Sequence, residues 1–236
     1  MSKKRIGISF TTTNLHHYLN WFTPEDLGND LEIVELSFLK NNIAEIQGCA
    51  AFILTGGTDL EPGLYNGNKT YHNRPEAHQP ERDLFEERIY RHAQLHKIPV
   101  LAICRGMQLV NVLHGGALIQ DLDELNDTHR KENHIDKQHE VTVDPESLLY
   151  GITQTISGLI NSAHHQAIPP GGIGGNLTAS ALAEDGTVEA MEFADKSDKA
   201  FLLCIQWHPE RLTDKEQNPF SANIKKRFLE ETRKDQ

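Results

Sequence analysis

The sequence predicts an α/β protein, a parallel sheet with an antiparallel extension. Three observations carry this prediction. Val100 to Ile103 is a fully apolar run between Pro99 and Gly106, as expected of a strand buried on both faces of a parallel sheet. A helical pattern starts directly after it and stops at Gly115-Gly116. Further on, Leu177 to Ala183, Val188 to Phe193 and Ala200 to Trp207 read as consecutive antiparallel strands, with Asp185-Gly186 and Asp195 to Lys199 as their turns.

The other elements follow in chain order. Arg5 to Phe10 reads as the first strand, and Leu15, Tyr18, Leu19 and Phe22 fit one helical face that Pro24 ends or interrupts. Glu32 to Leu36 alternates and reads as the second strand; a short helix is expected over Leu39 to Gln47. Ala50 to Leu54 is a third apolar strand that runs into Thr55-Gly56-Gly57. Glycines at the carboxyl end of a parallel strand let backbone N–H groups face a ligand. Glu61 to Pro80 is a polar loop, expected to lie over the site as a lid, and Arg82 to His96 is helical. Asp123 to Gln138 is charged and histidine-rich and is expected to be an exposed loop. His139 to Val143 alternates like a strand. Pro169 to Asn176 is a glycine-rich turn, and Phe220, Ile224 and Phe228 mark a final amphipathic helix. No repeat or linker divides residues 1–236, so one domain is expected.

Composition excludes several classes. The chain has 236 residues and a formal net charge of -11, which argues against broad binding to nucleic-acid phosphates. No apolar segment is long enough to span a bilayer, and the N-terminus lacks the pattern of a secretory signal, so a cytoplasmic protein without membrane contact is expected. The 3 cysteines, at 49, 104 and 204, are an odd number with no metal-site spacing and suggest reduced thiols. The 13 histidines are the compositional oddity, with doublets at His16-His17 and His164-His165 and with His129, His134 and His139 in one polar segment. A scattered metal site is the alternative reading, but without HExxH or paired CxxC no metal is expected and these histidines read as solvated loop residues.

The chemistry concentrates at two strand ends. Cys104 sits on the turn from the Val100 to Ile103 strand into the following helix. A tight bend of this kind lifts the middle side chain out of the sheet, and the helix N-terminus favours a thiolate. That helix is apolar almost all round, except for one polar line of Arg105, Gln108, Asn111 and His114. Gln108, four residues after Cys104, stands over the cysteine's side. The Ala200 to Trp207 strand ends in His208-Pro209-Glu210, a base followed by a carboxylate that orients it.

Ala-Ile-Cys-Arg-Gly-Met-Gln (102–108) and Gln-Trp-His-Pro-Glu (206–210), with Thr55-Gly56-Gly57 upstream, resemble a class I glutamine amidotransferase domain. Arg105, Glu81-Arg82-Asp83, Asn161-Ser162-Ala163-His164-His165-Gln166 and Asp185-Gly186-Thr187-Val188-Glu189-Ala190 narrow the resemblance to the gamma-glutamyl-gamma-aminobutyrate hydrolase group. It runs from about Ala50 to Glu210. It implies a flavodoxin-like, mostly parallel sheet with helices on both faces. It also implies a triad of Cys104 as nucleophile, His208 as base and acid, and Glu210 as the residue orienting His208. The oxyanion hole would use the N–H groups of Gly57 and Arg105. Gln108, Ser162, His164 and His165 would lie near the gamma-glutamyl group. The implied activity is cofactor-free hydrolysis of gamma-glutamyl amides through a thioester on Cys104. Two rival readings are a glutaminase subunit feeding ammonia to a separate synthetase and a catalytically silent binding module. The expected partner is a small gamma-glutamyl substrate; a homodimer or a separate synthetase stays open.

Overall fold

The computed structural model describes residues 2–133 and 135–234; His134 lies outside the described residues. Strands β1 (Lys4–Ser9), β2 (Leu31–Leu36), β3 (Cys49–Leu54), β4 (Val100–Ile103), β5 (Lys137–Val143), β6 (Ser157–Ser162), β7 (Leu177–Ala183), β8 (Val188–Phe193) and β9 (Leu202–Ile205) form one sheet. Its order is β2-β1-β3-β4-β9-β8-β7-β5-β6. The pairings from β2 to β9 are parallel and those from β9 to β6 antiparallel. The α/β class predicted from the sequence is therefore the one observed. β9 does more than the sequence predicts: antiparallel to β8, it is also parallel to β4, with Ala102 opposite Cys204 and Ile103 opposite Ile205. The carboxyl ends of β4 and β9 therefore emerge side by side, which decides where the chemistry sits.

Helices α1 (Leu15–Leu19), α2 (Pro24–Leu27), α3 (Pro80–Leu95), α4 (Arg105–Leu113), α5 (Asn126–His129), α6 (Leu148–Thr153) and α7 (Ala222–Arg233) flank the sheet. Because strand side chains alternate, each central strand serves two cores. Ala51, Ile53, Leu101 and Ile103 pack with Trp21, Phe220, Ile224 and Phe228 on one face. Phe52, Leu54, Val100 and Ala102 pack with Phe85, Ile89, Met107 and Val110 of α3 and α4 on the other. Residues Arg105 to Val112 of α4 are all buried, as its nearly all-round apolar pattern predicts. No helix among the described residues is long and apolar enough to cross a membrane.

Four local expectations are corrected. Pro24 begins a helix: Thr23 and Asp26 close a capping box around the start of α2, with proline at the position where a missing N–H costs nothing. The region expected to form a short helix contains a 3-10 helix over Ile43–Gly48. The loop of residues 61–80 is not a free lid, because its side chains and backbone are tied to the body. Tyr71 Oη donates to Asp59 (2.7 Å) and the Asn73 backbone N–H to Asp121 (2.9 Å). Finally, the segment expected to be an exposed loop folds into α5, and His129 at its end is completely buried.

Candidate active site

Cys104 is the residue between β4 and α4, with φ 52° and ψ -109°. A side chain is rarely held at such a φ, and the value marks a sharp strand-to-helix bend. Gln108 N–H returns to the Cys104 carbonyl (3.1 Å), while the Cys104 N–H is held by Ile205 of β9 (2.7 Å). Gly106 lets α4 start against β3: a Cβ there would fall 2.4 Å from the Leu54 carbonyl oxygen. Cys104 is 7% exposed. Burial pushes it up to about 12, against the pull of Arg211 and the Arg105 backbone N–H. The helix N-terminus, as read from the sequence, favours a thiolate; burial acts against it and favours the thiol.

Three residues after β9, His208 meets the cysteine across Gly56. A methyl group on Gly56 would lie 3.3 Å from Cys104 Cβ and 2.8 Å from His208 Cε1. His208 Nδ1 donates to Glu210 Oε1 (2.8 Å), the 3-10 turn Pro209–Arg211 bringing the carboxylate back beneath the ring. That leaves Nε2 without this proton and able to act as a base. Asn161 at the end of β6 accepts the His208 backbone N–H (3.0 Å). Burial, then the nearby Arg211, holds the imidazole below its ordinary value, with Glu210 pulling the other way.

Sequence reasoning missed two residues here. From the sequence Tyr18 reads only as part of a helical face; its hydroxyl accepts the Gly56 N–H (2.9 Å) and lies 3.2 Å from His208 Nδ1. Arg82 is fully buried beneath the Thr55-Gly56 turn and donates to the carbonyls of Thr55 (3.2 Å) and Gly56 (2.9 Å). In a trans peptide the Gly57 N–H is opposed to the Gly56 carbonyl, so Arg82 turns that N–H away from itself. Gly57 has φ 138°, and a Cβ there would fall 2.4 Å from Arg82 Nη1. Arg82 is in turn held by Glu86 (3.0 Å), which together with Asp83 also pairs the Arg105 side chain. The signal for this buried network was present as Glu81-Arg82-Asp83 and Arg105, but its partners lie on separate elements.

Cys104, His208, Gly57 and His165 line one cleft of about 320 Å³, with Tyr18, Asp59, Asn73, Pro75, Lys131 and Arg211. This is a small-molecule volume, in the range of about 300–1,000 Å³ for ligand sites. Asn73 and Pro75 show that the polar 61–80 loop forms part of its wall. Glu210 stands behind His208, 1% exposed. Arg105 is the first residue of α4, directly after Cys104, and its side chain is turned to Asp83 and Glu86. The other three residues named beside the gamma-glutamyl group are engaged elsewhere. Gln108 Nε2 donates to the Gln166 carbonyl and to Gln206 Oε1 (both 3.1 Å). Ser162 donates to the His129 carbonyl (3.0 Å), and His164 turns towards Glu189. The expectation of solvated histidines fails for His129 and His164, which are 0% and 5% exposed.

The profile of the Peptidase C26 family matches residues 35–210. Protein NtpR of Enterococcus hirae is 35% identical over 201 residues, covering 80% of this chain and 81% of the relative. The gamma-glutamyl-gamma-aminobutyrate hydrolase of Escherichia coli O157:H7 is 30% identical over 187 residues, covering 75% of this chain and 69% of that enzyme. Among solved structures, the glutaminase domain of Trypanosoma brucei CTPS superposes with a TM-score of 0.64 at 15% identity, over 99% of this chain and 96% of that one, and shows a shared fold.

Proposed function

The chain belongs to the Peptidase C26 family, and from that premise we propose that it is a cysteine hydrolase of gamma-glutamyl amides. The observation that carries this reading is the meeting of Cys104 and the His208–Glu210 pair at the adjacent ends of β4 and β9. In this reading His208 Nε2 takes the Cys104 proton as the sulfur bonds to the gamma-carbonyl carbon. The C–N bond then breaks, and the imidazolium returns the proton to the departing amine. Water, activated by the same imidazole, releases glutamate and the thiol. Glu210 fixes the ring's tautomer and stabilises its charged form. The Gly57 and Arg105 N–H groups stabilise the oxyanion, the first aimed by Arg82 and the second freed by its place at the start of α4.

The cleft lining suits a zwitterionic glutamyl head: Arg211 and Lys131 offer cations to a carboxylate, and Asp59 an anion to an ammonium group. His165 is the member of the sequence-derived substrate set on this lining. Gln108, Ser162 and His164 act in this reading through the backbone they hold. The Asn73 and Pro75 wall borders a second, charged hollow that shares Asn73 and Lys131, leaving room for a leaving amine larger than ammonia. The test compares kcat/KM for gamma-glutamyl-gamma-aminobutyrate and glutamine with the purified chain alone. A preference for the bulkier amide is expected. A preference for glutamine, or activity only when a second protein is added, favours an ammonia-donating subunit instead.

A further inference from the structure

Behind the cleft wall, four side chains from separate elements converge in a space that no chemical step of the hydrolysis proposed above uses: His129 at the end of α5, His139 on β5, His164 after β6 and Glu189 on β8. One ligand atom from each lies within 4.8 Å of all the others. His129, His164 and Glu189 are buried to at least nine-tenths. His139 Nε2 and His164 Nε2 stand 3.6 Å from Glu189 Oε1, and His129 Nδ1 stands 3.7 Å from it. These separations are too long for hydrogen bonds. Among the described residues, both Glu189 oxygens and the Nε2 atoms of His139 and His164 are buried without a hydrogen-bond partner. Buried polar groups left in this state need a partner.

The outer nitrogen of each ring explains the pattern. His129 Nε2 faces the Asp185 carboxylate (2.7 Å), His139 Nδ1 the Glu140 carbonyl (3.1 Å) and His164 Nδ1 the Gln166 carbonyl (2.9 Å). These acceptors can only accept, so each outer nitrogen carries the ring's proton. Each inner nitrogen is aimed at the Glu189 carboxylate and, unless the ring carries a second proton, presents a bare lone pair to it. His129 Nδ1 also lies 3.3 Å from the Ser162 hydroxyl oxygen, which gives it no proton because that hydroxyl donates to the His129 carbonyl (3.0 Å). Three lone pairs and a carboxylate facing one another repel unless a cation lies between them. Orientation of ligating imidazoles by outer-shell carboxylate and carbonyl acceptors is how protein metal sites are built.

The geometry points to a closed divalent-metal site formed by His129 Nδ1, His139 Nε2, His164 Nε2 and Glu189, which takes zinc. Three imidazoles and one carboxylate are a ligand set that zinc accepts, and bonds of about 2.0–2.2 Å in a tetrahedron imply ligand separations of about 3.4 Å. The contacts to Glu189 lie a few tenths of an ångström outside that value. All four positions are filled by protein, so the metal is structural and does not bind substrate. It pins His164, whose chain neighbours Ala163 and His165 line the cleft, and thereby fixes that wall. The site stands whether or not the cleft hydrolyses gamma-glutamyl amides.

The test is equilibrium dialysis of the chelator-treated full chain against zinc, with metal counted by mass spectrometry. One zinc per chain is expected, retained in Cys104→Ser and lost in Glu189→Gln and His164→Ala. Asp185→Asn, outside the ligand set, should weaken zinc binding about 10–100-fold with the circular dichroism spectrum unchanged. It decides the question if a ligand variant does not fold. Cobalt as a probe should give a tetrahedral visible spectrum that Glu189→Gln abolishes. No bound zinc, or stoichiometry and affinity unchanged in Glu189→Gln and Asp185→Asn, would overturn the proposal and leave a hydrogen-bonded histidine network.

Discussion

Cys49, Cys104 and Cys204 are all buried, so exposure does not single out one thiol. Environment does. Cys204 is central in β9, and Cys49 donates to the Glu45 carbonyl (3.4 Å) at the start of β3, whereas Cys104 opens on the cleft beside His208. Brief substoichiometric alkylation followed by mass spectrometry is expected to label Cys104 first; labelling of Cys49 or Cys204 would sink the nucleophile assignment. A second expectation concerns pH. Burial raises the thiol and lowers the imidazole, and activity needs His208 unprotonated. The acid limb of kcat/KM should therefore fall below the ordinary histidine value of about 6.5. Arg211 contributes to that lowering and Glu210 opposes it, so Arg211→Gln should shift the limb up in pH and Glu210→Gln down. Shifts of the opposite sign would remove His208 from the base's role. Glu210→Gln should also slow turnover, by up to about 10⁴-fold on the scale of comparable triad changes.

At the scale of elements, the Thr55-Gly56-Gly57 turn after β3 is held from two sides. Tyr18 takes the Gly56 N–H, and Arg82 takes the two carbonyls. Gly57→Ala has no room for its methyl group and an unfavourable φ, so the N–H should be displaced. Loss of one oxyanion donor costs about 10²–10³-fold in kcat; unchanged kcat in a folded Gly57→Ala protein would take this N–H out of the mechanism. Arg82→Met should act on stability as well, since it leaves Glu86 buried with one cation fewer. A loss of about 3–5 kcal/mol in urea unfolding is expected for breaking such a buried pair. A loss below about 1 kcal/mol would show that Arg105 alone satisfies the carboxylates.

At the scale of the whole molecule, the sheet sets the outcome by changing from parallel to antiparallel pairing at β9. The apolar runs of β3, β4 and β9, the bend at Cys104 and the amphipathic α7 are legible in the sequence, because they rest on local periodicity and on side-chain types at a turn. The α/β class and the pairing of His208 with Glu210 two residues later follow from the same local information, whereas the family follows from the resemblance of the motifs around Cys104 and His208. Only the tertiary structure decides which strand lies beside which, and so which distant residues share a surface. Tyr18 reads as a core residue until α1 brings its hydroxyl 3.2 Å from His208. His129, His139 and His164 read as solvated because a hydrophilic segment gives no sign of its long-range partners. Their burial depends on Glu189, which comes from β8, two strands away from β5 in the sheet. The physical reason is the range of the interactions. Propensity and turn geometry act over a few residues, whereas a buried charge is tolerated only where separate elements deliver its partners.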